Sequence, residues 1–241
     1  MKQKKFNFKL LLVGIMIMGL TYYISSQIFN YYQATKLNHY LQEKMITEQN
    51  NTTTIDFTAL TALNSDTVGW IKLANTNINY PVVQSDDNRY YLTHSFTQAQ
   101  SEAGAIFLDY RNNLDELSKN NIIYGHGRLD GSMFGSLSQV LESSWLQDPT
   151  NHYIYLSTPT KQLIFKIVSV YTIQKESYYL TSYFSNNDYF NQFLQTILQR
   201  SIFDFQEVLT AEDKILTLST CQNNYGKRIV VHAKLVQMKE T

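Results

Sequence analysis

Eight short runs, at residues 68–73, 78–83, 105–108, 121–124, 153–156, 163–172, 215–220 and 228–236, are rich in β-branched, aromatic and other apolar residues. No single strand of this kind can bury its own apolar face. Set within about 185 residues, enough for one domain with a real core, the runs predict a mainly β barrel or sandwich. Helical spacing interrupts them twice, first at Phe134, Leu137, Val140 and Leu141. It recurs at Phe190, Phe193, Leu194, Ile197 and Leu198, one apolar face between two strands, read as core packing. The chain has no internal repeat.

Ahead of these runs, Lys2, Lys4, Lys5 and Lys9 precede an uncharged stretch over residues 10–29. About 20 such residues cross a bilayer as a helix. The next basic residue is Lys36, so the lysine bias predicts a cytoplasmic N-terminus with the rest of the chain outside. A cleavable signal peptide competes with this reading, because Thr21, Ser25, Ser26 and Gln27 dilute the apolar run near its outer end. No A-x-A cleavage site follows. Beyond it, Ile28, Tyr31, Tyr32, Leu37, Tyr40 and Leu41 recur at loosely helical spacing before the polar tract 49–54, which predicts a stalk and a linker. The expected organisation is a cytoplasmic tail (1–9), a transmembrane signal anchor (10–29), a helical stalk and linker (30–55) and an extracellular catalytic domain (56–241).

That topology gives the single cysteine, Cys221, its meaning. Exported domains use cysteines in pairs, so a lone one implies an intermolecular bridge, an inert buried thiol or a reactive nucleophile. Formal charge is zero overall, and removing the four leading lysines leaves 16 basic against 20 acidic residues outside. Such a balance predicts no nucleic-acid partner. With one cysteine and no clustered ligands, no metal site is expected, and no glycine loop of the phosphate-binding kind is present. No cofactor is expected.

Strand alternation puts Thr217, Ser219 and Cys221 on one face and Leu216, Leu218 and Thr220 on the other, which turns the thiol from the apolar side. The connection at residues 222–227 reads as a short hairpin; if 221 faces 228, a guanidinium stands beside the thiol. There it favours thiolate and can hold a developing oxyanion, although Arg228 reaching solvent is the plainer alternative. Of five histidines, His126 in the run Tyr124-Gly125-His126-Gly127-Arg128 stands out as a proton acceptor, since flanking glycines allow a sharp turn and a close approach. His39, His94, His152 and His232 are weaker candidates.

These residues resemble a known family. Tyr124 to Arg128 with Asp130, Gly131, Ser132, Met133 and Phe134, then Thr217-Leu218-Ser219-Thr220-Cys221, then Arg228 with Ile229, Val230, Val231 and His232, are similar to the sortases, membrane-anchored cysteine transpeptidases of Gram-positive bacteria. The helix read before the Cys-bearing strand is similar to class B, as is the stretch around Val82, Val83, Gln84, Asn88 and Leu92. The lid and second anchor of pilin-polymerising class C are not visible.

The resemblance implies a closed eight-stranded β-barrel with added helices, among them an N-terminal helical segment and one inserted before the Cys-bearing strand. It implies that Cys221 attacks a threonine carbonyl in the C-terminal sorting signal of a secreted protein, forming a thioester. His126 would protonate the leaving amine and Arg228 hold the carbonyl or oxyanion. The acceptor would be an amine of the peptidoglycan precursor, or a pilin lysine if the chain polymerises pilins. Asn88, Leu92, Tyr179, Leu180, Ser219 and Thr220 carry over as groove residues. Where class B relatives often have an acidic residue after the cysteine, this chain has Gln222, Asn223 and Asn224, which argues against a carboxylate-oriented triad. L,D-transpeptidases also pair an exported Cys with His, but their motif has His and Gly before the cysteine. A non-enzymatic surface module would leave Cys221, His126 and Arg228 no joint task.

Overall fold

The structure, a computed structural model, describes residues 8–49, 52–174, 176–221 and 226–241, and for Glu48, Gln49, Thr52 and Cys221 the backbone alone. The expected hairpin connection at 222–227, with Gln222, Asn223 and Asn224, falls mostly outside the described residues.

Helix α1 (Phe8–Met45) is continuous through both the stretch read as anchor and the stretch read as stalk. Its apolar first half is long enough to cross a membrane and is not covered by the rest of the chain. The distal end docks. Leu41 and Met45, one turn apart, are buried with Leu60, Trp70, Val83, Tyr91, Phe96 and Phe107, and Leu37 packs beside them. Gln42 Nε2 adds a hydrogen bond to the Asn79 carbonyl at 2.7 Å. Where a linker was expected, β1 (Ile46–Gln49) and β2 (Thr52–Ile55) form an antiparallel hairpin, with Ile46 opposite Ile55. The threonines of the tract are β-branched and suit a strand, a preference that its polarity hides. Helix α2 (Phe57–Leu63) follows, capped by the Asp56 side chain accepting from Ala59 N.

Eight strands then close a barrel: β3 (Thr67–Leu73), β4 (Asn79–Val83), β5 (Ile106–Leu108), β6 (Asn120–His126), β7 (Tyr153–Ser157), β8 (Lys161–Gln174), β9 (Ile215–Cys221) and β10 (Lys227–Glu240). Their order is β10-β8-β7-β3-β4-β5-β6-β9. Closure removes the sheet edges. The pairs β4–β5 and β6–β9 are parallel, and the rest antiparallel. The parallel pair β4–β5 needs a long crossover, residues 84–105, and β6 reaches its parallel partner β9 only after β7, β8 and α4.

Inward-facing Ile71, Val82, Ile106, Ile123, Leu156, Phe165, Leu216, Leu218 and Val231 fill the barrel. The first helical stretch, Gly135–Leu141 as a 3-10 helix followed by α3 (Ser143–Leu146), adds Phe134, Leu137, Val140 and Trp145 to that core. The second is α4 (Asn187–Arg200), whose Asn186 cap accepts from Tyr189 N. Its Phe190, Phe193, Leu194 and Ile197 pack on Ile215. As a result both faces of β9 are buried. Thr217 and Ser219 do lie opposite Leu216 and Leu218, but they face other protein and not water.

Candidate active site

Parallel pairing of β6 and β9 runs from Asn120↔Ile215 to His126↔Cys221. Both strands therefore end at the same rim, with the histidine and cysteine backbones as lateral neighbours. Strand β10 returns antiparallel to β9, pairing Val230 with Ser219. The pairing ends there: Ile229 N donates to the Thr220 side chain at 2.8 Å, and Arg228 lies two residues before Val230, the last residue of β10 paired with β9, at the end of the barrel where β9 reaches Cys221.

Several contacts orient His126. Its Nε2 lies 2.7 Å from the Leu92 carbonyl oxygen. A carbonyl only accepts, so Nε2 carries the hydrogen and Nδ1 is the nitrogen left to gain or lose a proton. Leu92 ends a 3-10 turn, Tyr90–Leu92, that is held from both sides. Asp87 Oδ1 accepts from the backbone N–H groups of Arg89 and Tyr90, both at 2.8 Å, and Ala105 N donates to the Tyr91 carbonyl. Tyr91 itself is fully buried and donates to Asp66 at 2.6 Å; burial first, then that carboxylate, push its phenol up to about 12. Gly104 completes the seat. At φ +63 a Cβ there would stand 2.6 Å from the Tyr91 carbonyl oxygen and 3.0 Å from the His126 ring. Gly125 is equally confined, since a Cβ would meet Ile106 at 2.4 Å.

Arg228 is held by Tyr179. Its Nη1 donates to the Tyr179 hydroxyl at 3.2 Å, and that hydroxyl lies 3.1 Å from Ser219 Oγ. A cavity of about 470 Å³ opens beside these groups, lined by Asn88, Leu92 and Leu180 together with His126, Ser219, Thr220 and Arg228. Tyr179 does not line it. Being fully buried, it stands behind the wall as the support of Arg228.

The arrangement matches known proteins. The chain fits the Sortase domain family over residues 71–236. It is 38% identical to sortase B of Listeria monocytogenes, covering 82% of this chain and 80% of that protein. Against sortase B of Staphylococcus aureus it is 35% identical, covering 76% and 75%. The solved sortase B from B. anthracis superposes with a TM-score of 0.78 at 36% identity, covering 87% of this chain and 99% of that one.

The chain belongs to the sortase family, in class B.

Sortases are transpeptidases, and this sortase keeps the helix-bearing crossover before β9 that its sequence suggested. Sequence reasoning assigned no role to four further residues around the groove. Phe107 and Tyr124 line it. Behind them Asp109, whose side chain is wholly buried, accepts from Arg111 Nε and Nη2 at 2.8 and 2.7 Å, from Tyr124 Oη at 2.8 Å and from Asn88 Nδ2 at 2.9 Å. Burial acts to raise its pKa, but the hydrogen bonds from Arg111 and Tyr124 outweigh it and hold the carboxyl below the ordinary range. Arg111 Nη2 reaches on to the Leu180 carbonyl at 2.9 Å, tying the two walls together. The only local signal was Asp109-Tyr110-Arg111 directly after an apolar run.

His232, weighed as a possible base, is wholly buried. Burial pushes its imidazole down to about 3, so it is neutral. Tyr178 donates to Tyr171 at 2.7 Å, and Tyr171 meets His232 Nε2 at 2.8 Å. On the other side Nδ1 meets Thr217 Oγ1 at 2.8 Å, and Thr217 donates to Asn120 Oδ1 at 2.6 Å. Asn120 Nδ2 then donates to the carbonyls of Tyr179 and Thr181. The proton order runs one way, which requires hydrogen on Nδ1 of His232. This chain fixes the 178–181 segment, and with it the Leu180 wall. Among the described residues no cluster of three or more His, Cys, Asp or Glu could hold a metal ion.

Proposed function

We propose that this sortase cleaves a threonine-containing sorting signal near the C-terminus of secreted proteins and transfers the upstream part to an amine of the cell-wall precursor. The observation that carries this reading is the β6–β9 register, which makes Cys221 the backbone neighbour of His126, a residue that lines the groove. Cys221 is the nucleophile. Its sulfur bonds to the threonine carbonyl carbon, the tetrahedral centre collapses with loss of the C–N bond, and His126 gives the leaving amine its proton. In the second half the acceptor nitrogen bonds to the same carbon, the C–S bond breaks, and the proton from nitrogen passes to His126.

Arg228 holds the threonine carbonyl oxygen or the oxyanion. Its hydrogen bond to Tyr179 aims the guanidinium without neutralising it, so the full charge remains for the substrate. An unperturbed thiol of about 8.5 would be only a few per cent ionised at neutral pH, and a neighbouring permanent cation raises that fraction. Asn88, Leu92, Leu180, Ser219 and Thr220 form the donor groove. The anchor over residues 10–29 keeps the N-terminus in the cytoplasm and the barrel outside, where the unpaired thiol serves chemistry.

A peptide-library transpeptidation assay on the full-length chain in detergent, read by mass spectrometry, tests this. Diglycine, oligoglycine and a lysine side chain compete as acceptors. Threonine-containing donors should be cut after threonine and joined to an amine, with both steps lost in His126→Ala. Cleavage at other residues, or full turnover in His126→Ala, would overturn the reading; preference for lysine would make the chain a polymerase of subunits.

A further inference from the structure

The outer face of the barrel carries a second groove, far from His126, built from two cross-strand rows. In the first, Asn79 on β4 lies opposite Lys72 on β3, Lys72 opposite Tyr155 on β7, Tyr155 opposite Ile164 on β8, and Ile164 opposite Gln237 on β10. In the second, Trp70, Ser157, Gln162 and Lys239 follow one another on β3, β7, β8 and β10. Residues two apart on a strand share a face, and both rows line a single cavity of about 670 Å³. Four strands about 4.8 Å apart make it roughly 14 Å across. Lys239 stands eleven residues down β10 from Arg228, about 36 Å along the strand.

The polar side chains of these rows are largely unoccupied. Farther up the same two strands, Lys166 and Lys234 share Glu207 at 2.6 and 2.5 Å. Lys72 and Lys239, by contrast, form no ion pair among the described residues, and no Asp or Glu lines the groove. Beyond the four leading lysines the chain holds 16 basic against 20 acidic residues, so a carboxylate-free groove with two lysines is a local reversal of sign that favours an anion. Tyr155, Ser157, Gln162 and Gln237 have no side-chain hydrogen bond among the described residues. Asn79 Oδ1 accepts from the buried Trp70 Nε1 at 2.7 Å, which leaves the Asn79 amide hydrogens unused.

Amide and hydroxyl side chains both donate and accept, as sugar hydroxyl and acetamido groups do. Tyr155, 42% exposed, sets a flat ring among them, apolar on its face and polar at its tip. Two cations among nine positions match a ligand that is mostly neutral and sparsely anionic; a polymer with a phosphate on every unit calls for more positive charge. The anchor read over residues 10–29 sets which way the groove faces. From residue 29 helix α1 runs sixteen residues to Met45, about 24 Å at 1.5 Å per residue, and Ile46 then pairs with Ile55, which lines the groove. A helix upright in the bilayer thus holds the groove away from the membrane, on the side of the wall.

We propose that this groove binds a carboxylate-bearing glycan strand of the wall, with a sugar ring on Tyr155, its hydroxyl and acetamido groups on Asn79, Gln162 and Gln237, and its carboxylates on Lys72 and Lys239. It docks the barrel on the polymer without entering the reaction. The proposal rests on the extracellular placement in the reading above and not on its chemistry.

Cosedimentation of the full-length chain in detergent with purified peptidoglycan, stripped of phosphate polymers by hydrofluoric acid, tests it. Wild type should cosediment, and soluble glycan strands freed of their peptides should compete. Tyr155→Ala, and Lys72→Gln combined with Lys239→Gln, should each weaken binding by about tenfold, as loss of an anchor residue at an interface does. Transfer of a soluble donor peptide to triglycine by the same variants should stay within about twofold of wild type, because sites this far apart act independently. Wild type left in the supernatant, glycan strands that fail to compete, or variants that cosediment like wild type overturn the groove. So does binding that disappears with the acid treatment, which makes a polyol phosphate the ligand. A wild-type chain that binds glycan but transfers no peptide supports the groove and overturns the transpeptidase reading; transfer without binding overturns the groove alone.

Discussion

His126 is hydrogen-bonded through Nε2 to the backbone carbonyl of Leu92 at 2.7 Å, so the imidazole is oriented by main chain and, among the described residues, by no carboxylate. The absence of an acidic residue at 222–224 in the sequence fits this arrangement. What fixes the histidine is the seat made by the capped turn before Leu92 and by Gly104.

Gly104→Ala tests that seat. The added methyl has to enter a site 2.6 Å from one carbonyl oxygen and 3.0 Å from the imidazole, at a backbone angle that alanine adopts with strain. Left-handed strain of this kind costs about 1–3 kcal/mol. Displacing a catalytic group by about 1 Å can cost on the order of 100-fold in rate. The variant should therefore lose at least about tenfold in kcat/KM while its Tm falls only modestly. Wild-type kcat/KM would show that His126 does not depend on this packing.

Arg228→Lys keeps the charge and discards the planar fork, so it should cut kcat/KM by more than about tenfold. Tyr179→Phe removes the hydroxyl that accepts from Arg228 and should give a smaller loss of the same kind, about three- to tenfold, the scale of one ordinary net hydrogen bond. If Arg228→Lys turned over like wild type, Arg228 would be acting as a point charge only.

His232 makes stability depend on pH. Its folded pKa is pushed down to about 3, below an unfolded value of about 6.5. Between those values the unfolded chain binds a proton that the folded chain refuses, so stability is complete above about 6.5 and is lost as pH falls toward 3. The slope from this one group reaches roughly 1.4 kcal/mol per pH unit inside that window. His232→Gln, which can still donate and accept, should have a flatter acid limb in Tm against pH. Identical slopes for the two proteins would place the acid sensitivity elsewhere.

Leu41→Ala probes the docking of α1. Leu41 is fully buried against Leu60, Trp70 and Tyr91, and truncating such a side chain costs about 2–5 kcal/mol. A measurable fall in Tm is expected, and removal of residues 1–51 should destabilise the barrel in the same way. An unchanged Tm in Leu41→Ala would mean that this helix end contributes nothing to the domain.

Much of the architecture was legible because each element announces itself through its own side chains. All eight expected runs are barrel strands, and Phe190, Phe193, Leu194 and Ile197 face the core as their spacing predicts. The β1–β2 hairpin was not, since its polar threonines resemble a linker. Alternation sorted the two faces of β9 correctly, but it could not show that α4 and Tyr179 cover the polar one, because that depends on how segments 15 to 40 residues away pack against the strand. For the same reason Tyr179 looked like a groove residue. Whether a side chain lines a wall or stands behind it is decided by packing. Asp109 gathers Asn88, Arg111 and Tyr124 from three segments, a convergence that no local pattern encodes.

The central claim is that Cys221 carries the acyl group, and intact-mass spectrometry of the full-length chain mixed with a threonine-containing donor peptide tests it most directly. Wild type should gain the mass of the donor up to and including threonine, as a thioester that hydroxylamine discharges, and Cys221→Ala should gain nothing. An adduct on Cys221→Ala, or wild-type turnover by that variant, would contradict the account.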